Sequence, residues 1–242
     1  MNANSTSATL SGLTDGSNVV VNATLIKQGI QSKVKELTRS ATLNVNLSKF
    51  TRSGSNANSS VNDGLTHNQF YGLRVQDEEI SLNVPDVTNV VAVYESFGTS
   101  SPTLDTLEFT STADVTNNAV IGENFVGTDS KAIARVVSKP SANVLGIVYL
   151  SPNKFNSNEE VTFEESGIKT NIQTITLGSY KDITNSFGLE KGQKDQYYDY
   201  SRIVRTKDSN IPSRRLLIVF DHYTVPADDD GDVFTVLSYD QE

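Results

Sequence analysis

Four carboxylates stand close together at Asp228-Asp229-Asp230-Gly231-Asp232. Such a density suits a hard cation such as calcium, which collects oxygen ligands from Asp side chains. The spacing departs from the helix–loop–helix calcium loop, because aligning Gly231 with its glycine puts Pro226 at the first ligand position and Leu237 at the last. Asp and Gly also supply the backbone conformations of a tight turn. A turn is therefore preferred here over a structural calcium site built from Asp228, Asp229, Asp230 and Asp232, and no other metal or cofactor is expected. The chain has two histidines, His67 and His222. His67 lies in a Ser/Asn-rich stretch and lacks the fixed placement a general base needs. His222 follows Asp221, and adjacent residues of a strand face opposite sides, so the two cannot pair as in a Ser-His-Asp triad. Neither a Gly-x-Ser-x-Gly elbow nor a Gly-x-x-x-x-Gly-Lys phosphate loop occurs. The carboxylate pairs Glu159-Glu160 and Glu164-Glu165 are expected to be solvated. The chain reads as a non-enzyme.

Two further side-chain groups invite a functional reading. Tyr197, Tyr198 and Tyr200, with Tyr180, Tyr223 and Tyr239, could make an aromatic platform for a sugar. Tyrosine also buries its ring while keeping its hydroxyl bonded, which suits packing and protein contacts, and that reading is favoured. Arg202, Arg205, Arg214 and Arg215 form the basic concentration of the chain, offset by Asp195, Asp199 and Asp208. They are too sparse for a nucleic-acid groove and suit ion pairs or partner anchors. The candidate interface is thus Tyr197, Tyr198, Tyr200, Arg202 and Arg205.

The elements that must position these groups are strands. Asn, Ser and Thr are abundant, Met occurs once and Trp is absent, a composition that favours strands, turns and loops over helices. The 242 residues carry a net charge of −9 and no cysteine. These facts exclude disulfides and thiolate chemistry, and they argue against general binding to nucleic acid or anionic membranes. No apolar run approaches the ~20 residues of a membrane span, so no membrane insertion is expected, and Met1 to Ser7 lacks a signal-peptide pattern. Residues 1–17 read as a polar tail or linker. Residues 18–50 read as an N-terminal β element, with a strand-like run at Val19–Ile26 and period-two alternation of Ala41, Leu43, Val45 and Leu47. Residues 51–68 form a Ser/Asn-rich loop. Ile80, Leu82 and Val84 alternate before Pro85, and Val90–Tyr94 reads as a buried strand. Leu216–Phe220 is apolar on both faces and should be a central strand. Val233–Tyr239 should be a further strand covered on both sides. The expected architecture is all-β, with a β-sandwich-like main domain at 69–97 plus 172–242, an inserted small β module at 98–171, and long polar loops.

Two segments resemble known sequences. Gly127-Thr128-Asp129-Ser130-Lys131-Ala132, the run Val144–Leu150, then Phe155, Glu159, Val161 and Phe163 are similar to a small β module of phage fibre and neck proteins. Its pattern is a Gly-x-x-Ser-x-Ala turn, short strands and a Phe-x-x-x-Glu-x-Val segment. The resemblance implies a compact barrel-like unit plugged by Phe155, Val161 and Phe163. From Asp182 to Glu242, the runs Asp182–Phe187, Gly192–Tyr200 and Arg214–Asp221 resemble a recurrent structural domain of large tailed-phage virion proteins, especially those of cyanobacterial myoviruses. Overall the resemblance spans roughly Tyr71 to Tyr239. It implies a structural component of a tail or baseplate, a wedge or fibre-attachment protein that works by rigid β scaffolding and docking. Implied partners are other virion proteins in a homo- or hetero-oligomer. Implied localisation is the virion, after synthesis in the host cytoplasm. Because the region continues into further domains in the resembled proteins, a longer parent polypeptide is expected. The competing readings are a fibre-tip module for a host receptor or surface glycan, and a hydrolytic tail enzyme with converging carboxylates.

Overall fold

A computed structural model describes residues 11–12, 20, 22, 28–46, 74–110, 114–193 and 199–239. The tail at 1–17 lies almost wholly outside these residues, and the loop at 51–68, His67, Tyr197, Tyr198 and most of the Val19–Ile26 run lie outside them entirely. The described fold is nearly all β, as the composition indicates. In chain order the strands are β1 (Glu36–Val45), β2 (Glu79–Ser81), β3 (Val87–Glu95), β4 (Asp105–Phe109), β5 (Asn124–Gly127), β6 (Ile133–Ser141) and β7 (Val144–Tyr149). There follow β8 (Glu160–Phe163), β9 (Lys169–Thr176), β10 (Lys181–Asp182), β11 (Phe187–Glu190), β12 (Arg202–Arg205) and β13 (Leu216–Thr224).

One unit is a sandwich of a four-stranded sheet, β1-β13-β3-β10, and a three-stranded sheet, β11-β12-β2. Leu216, Ile218 and Phe220 project from β13 into its core, where they meet Val45, Val93, Ile80, Ile203 and Val87. The alternation read at Ala41, Leu43 and Val45 is the inner face of β1, whose Leu43 lies opposite Ile218 and Val45 opposite Leu216. Residues 18–50, expected as a separate β element, therefore contribute an integral edge strand. The sheet is interrupted where β1 shifts register between Thr38 and Ala41, with Ser40 in the left-handed region at φ 55°. Such a bulge adds a residue to one strand and bends it locally.

The second unit is a closed six-stranded barrel in the order β4-β7-β6-β5-β8-β9, with β9 returning to pair with β4. Its core is aromatic. Phe125 stacks on Phe163 at 4.7 Å and on Phe155 at 5.2 Å, and Phe109 meets Phe125 and Phe163 edge-on at 6.4 and 5.9 Å. These offset and edge geometries are the favourable ones for ring quadrupoles. Phe155, Val161 and Phe163 thus fill the barrel. The unit extends past the expected boundary at residue 171. Ile172–Thr176, assigned by sequence to the main domain, belongs to β9, because without it β4 would carry an open edge. The barrel is inserted between β3 and β10, and its two connections run side by side, bridged at Thr103 and Ser179.

Beyond β13 the expected strand at Val233–Tyr239 does not form. Val233 and Tyr239 make single parallel bridges to Ser32 and Lys35, and Val236–Ser238 is a short 3-10 turn. Thr235 Oγ1 accepts from Leu237 N–H, and Ser238 Oγ accepts from Thr235 N–H, which is a reciprocal helix cap. The physical reason is that β13 already has β1 on one side and β3 on the other. Phe234, Val236 and Leu237 consequently stand exposed rather than covered.

Candidate functional site

Three groupings of polar and aromatic side chains are built by this fold: the junction of the two units, the turn that the barrel motif encodes, and the end of the sandwich where the acidic loop docks.

At the junction, the second face of the four-stranded sheet meets the barrel. Ala92, Tyr94, Leu217 and Val219 pack on Val137 and Val148. Beside this apolar contact, the buried Asp221 carboxylate accepts from Ser40 N–H at 2.8 Å and from Arg135 Nη1 at 2.8 Å. Arg135 also donates through Nε to Asn124 at 3.1 Å. One carboxylate therefore ties together the bulge of β1, strand β13 and strand β6. Arg39, in the bulge, makes a two-pronged ion pair with Glu165, which holds the Glu165 carboxyl below its ordinary range. Gly122 lies against the same arginine: its φ is +88°, and a Cβ there would stand 2.3 Å from Arg39 Cβ. At the other side of the junction Tyr94 and Tyr180 stack with ring centroids 3.9 Å apart. Tyr180 Oη donates to Asp105 at 2.9 Å. Burial pushes both phenols above their ordinary range.

Inside the barrel, Glu159 is buried rather than solvated as expected. Its Oε1 accepts from Asp129 N–H at 2.7 Å and Ser130 N–H at 2.6 Å, and its Oε2 accepts from Asn156 N–H at 2.9 Å. Burial works against the charge, but these hydrogen bonds outweigh it and hold the carboxyl below its ordinary range. The Gly-x-x-Ser-x-Ala turn and the Phe-x-x-x-Glu-x-Val segment are thus two halves of one lock. Gly127 leaves the room it needs, since a Cβ there would stand 2.4 Å from Glu159 Oε1. Glu123 plays a similar part, accepting from the N–H groups of Glu165 and Ser166. Glu123 was not singled out from sequence; Glu159 was named in the motif and in a pair expected to be solvated, and its fixed place in the motif was the signal of this role.

The predicted interface set is only partly assembled among the described residues. Arg202 spans its own sheet, bonding Glu79 at 2.8 Å and Asp199 at 3.2 Å, with Glu190 at 3.4 Å. Tyr200 is half-exposed, while Arg205 ends β12 with its Nε buried and without a hydrogen-bond partner. The other tyrosines do not gather into one platform. Tyr180 is committed to the junction, and Tyr223 meets Tyr239 edge-on at 5.0 Å at the far end of β13.

That far end carries the acidic loop. Asp229 accepts from Val34 N–H at 2.6 Å and Gly231 N–H at 2.7 Å, and Asp232 accepts from Gln31 N–H at 3.2 Å. The hydrogen bonds from Gly231 and Val34 hold the Asp229 carboxyl low. Two of the four candidate calcium ligands are therefore spent on fastening residues 31–34, while Asp228 and Asp230 face solvent. Among the described residues, no group of three or more His, Asp or Glu side chains is placed to hold a metal ion.

Next to the loop lies a cavity of about 420 Å³ lined by Lys35, Val84, Pro85, Asp86, His222, Tyr223, Thr224, Val225 and Phe234. Lys35 is buried and ion-paired to Asp86. Its Nζ also donates to Tyr239 Oη at 3.0 Å and lies over the Tyr239 and Phe234 rings at 4.4 and 4.8 Å. Burial alone would lower the Lys35 pKa, but its bonds to Asp86 and Tyr239 outweigh burial and raise it. His222 is 8% exposed and stacks beside Phe220. Asp221 and His222 do face opposite ways, one to the junction and one to this cavity.

No protein-family model matches the chain, and neither a curated protein nor a solved structure matches it.

Proposed function

We propose that this chain is a non-enzymatic structural component of a bacteriophage tail or baseplate, a wedge or fibre-attachment part that works by rigid scaffolding and protein–protein docking. The observation that carries the reading is strand β13, buried on one face in the sandwich core and on the other against the barrel. A strand shared in this way, with Asp221 bonded to both Ser40 and Arg135, suits a part that must transmit force without its units sliding. The groups best equipped for chemistry support the same reading. Glu123, Glu159, Asp105 and Asp221 each accept hydrogen bonds that fasten backbone or a neighbouring unit. The likeness of the Gly127–Phe163 pattern to phage fibre and neck modules supplies the location. The glycan-binding alternative gains nothing from Tyr180, Tyr223 and Tyr239, which pair with other protein groups in two separate places.

Electron microscopy of the intact virion tests the proposal. Density for the six-stranded barrel and its sandwich in the tail or baseplate is the expected result. Finding the chain in the capsid shell, or only in infected cells, overturns it.

A further inference from the structure

We propose that the cavity at the end of β13 is an anchor pocket for a neighbouring polypeptide, taking a tyrosine side chain from a segment that carries Lys or Arg on either side. The inference rests on the docking role proposed above and names the chemistry of one partner. The cavity, at about 420 Å³, lies within the ~300–1,000 Å³ typical of ligand sites. Val84, Pro85, Val225, Tyr223 and Phe234 give it apolar and aromatic walls, which favour a ring over an aliphatic polar group. Its charge is already balanced, because Lys35 is paired with Asp86, so a free carboxylate or phosphate gains little there.

One polar feature is left for the occupant. His222 is more than nine-tenths buried and lines the cavity. Its Nδ1 lies 3.4 Å from the Tyr223 carbonyl, and its Nε2 has no hydrogen-bond partner among the described residues. A phenolic hydroxyl, carried at the tip of an incoming ring, is a donor that a neutral imidazole nitrogen accepts from. The pocket is also shaped in advance. Asn83 and Asp86 hold the Val84-Pro85 turn in left-handed conformations at φ 62° and 55°. Ser201 N–H and Tyr223 N–H then bind the carbonyls of Val84 and Asp86 at 2.9 and 3.1 Å. A preformed pocket spares a partner the cost of ordering it.

The surface around the mouth fits a polypeptide rather than a small molecule. Val225 and Phe234 line the cavity and are themselves exposed, as are Val233, Val236 and Leu237 in the segment that carries Phe234. A buried anchor with an apolar surround is the usual distribution of energy in an interface. Asp228 and Asp230 stand exposed in the adjoining loop, whereas Asp229 and Asp232 are occupied with backbone. Lys33 stands over the Phe234 ring at 5.9 Å, but the loop's carboxylates outnumber it, so the surround favours a basic partner.

The test is an NMR titration of the full chain with three capped pentapeptides at low salt: Lys-Gly-Tyr-Gly-Lys, Glu-Gly-Tyr-Gly-Glu and Lys-Gly-Ala-Gly-Lys. The expected result is a saturable shift of the His222 imidazole and the Phe234 ring with the first peptide. The second should bind at least about fivefold more weakly, the size of a modest exposed ion-pair effect, and the third should leave His222 unmoved. The surface variant carrying Asp228→Asn and Asp230→Asn should bring the first two peptides level. No saturable His222 shift, or equal binding of the alanine peptide, overturns the tyrosine pocket; equal binding of the acidic peptide to the unmodified chain overturns the basic partner. The titration needs no particle, so its failure leaves the tail location standing. A virion map without the chain would remove that location and leave the pocket intact.

Discussion

The barrel and the sandwich solve the problem of open strand edges and bare faces in opposite ways. The barrel closes on itself, and its aromatic core of Phe109, Phe125, Phe155 and Phe163 faces inward. The sandwich is open, with β1 and β10 at the ends of one sheet and β11 and β2 at the ends of the other. It also carries a second apolar face, formed by Ala92, Tyr94, Leu217 and Val219, which Val137 and Val148 of the barrel and Tyr180 of its connection cover. The contrast teaches that dependence runs one way: the barrel completes the sandwich, while little of the barrel's own core lies at the junction.

The strongest way to break this comparison is excision. Joining the chain at the Thr103–Ser179 bridge removes the barrel where its two connections already meet. The remainder should lose soluble, cooperative folding, because a continuous apolar face becomes exposed. The excised barrel should unfold cooperatively by itself in circular dichroism. A soluble, folded remainder with an unfolded barrel would reverse the order of dependence.

Next in size is Arg135→Ala, which leaves the Asp221 carboxylate buried without its cation. Breaking a buried pair by removing one partner costs about 3–5 kcal/mol, and denaturant unfolding of the whole chain should show it, with the sandwich more affected than the barrel.

Glu159→Ala should act inside the barrel instead. It strands the N–H groups of Asp129, Ser130 and Asn156, at roughly 1–3 kcal/mol for each one that finds no other partner. The same carboxylate sets a pH response. Its folded pKa lies below the ordinary value of 4.5, so its contribution is complete above that pH and is lost as pH falls through the lower folded value. Glu159→Gln should flatten the acid limb of barrel stability, seen as a smaller drop in Tm between neutral and acid pH. Smallest is Arg39→Ala. It removes a partly exposed ion pair with Glu165, worth at most about 1 kcal/mol, and should leave the barrel's own unfolding unchanged.

What was legible in the sequence was periodicity. Ala41, Leu43 and Val45 alternate because one face of β1 is buried, and Leu216–Phe220 is apolar throughout because β13 is covered twice. The barrel-like unit was implied only by the resemblance that Gly127, Ser130, Ala132, Phe155, Glu159 and Val161 carry. Three readings failed for want of long-range information. Val233–Tyr239 has the pattern of a strand, but no sheet position was left for it beside β13. Glu159 looked like a solvated acid because the turn whose N–H groups it receives lies about thirty residues earlier. Ile172–Thr176 was assigned to the wrong unit because a pattern of alternation does not say which edge a strand will close. The cavity at His222 was equally hidden, since Lys35, Asp86 and the stretch from His222 to Phe234 come from three distant parts of the chain.

The insertion of the barrel also has a consequence for how the protein is made. Its six strands run without interruption from Asp105 to Thr176, so the barrel can form while the ribosome is still adding residues. Strand β1 must wait, because the Ser40 N–H that meets Asp221 is separated from it by 181 positions. Until β13 emerges, β1 and β3 have no partner between them, and their bare edges are the part of the nascent chain most open to capture by another copy or a chaperone. The newly made chain should therefore have its barrel finished first and its sandwich the last thing to close.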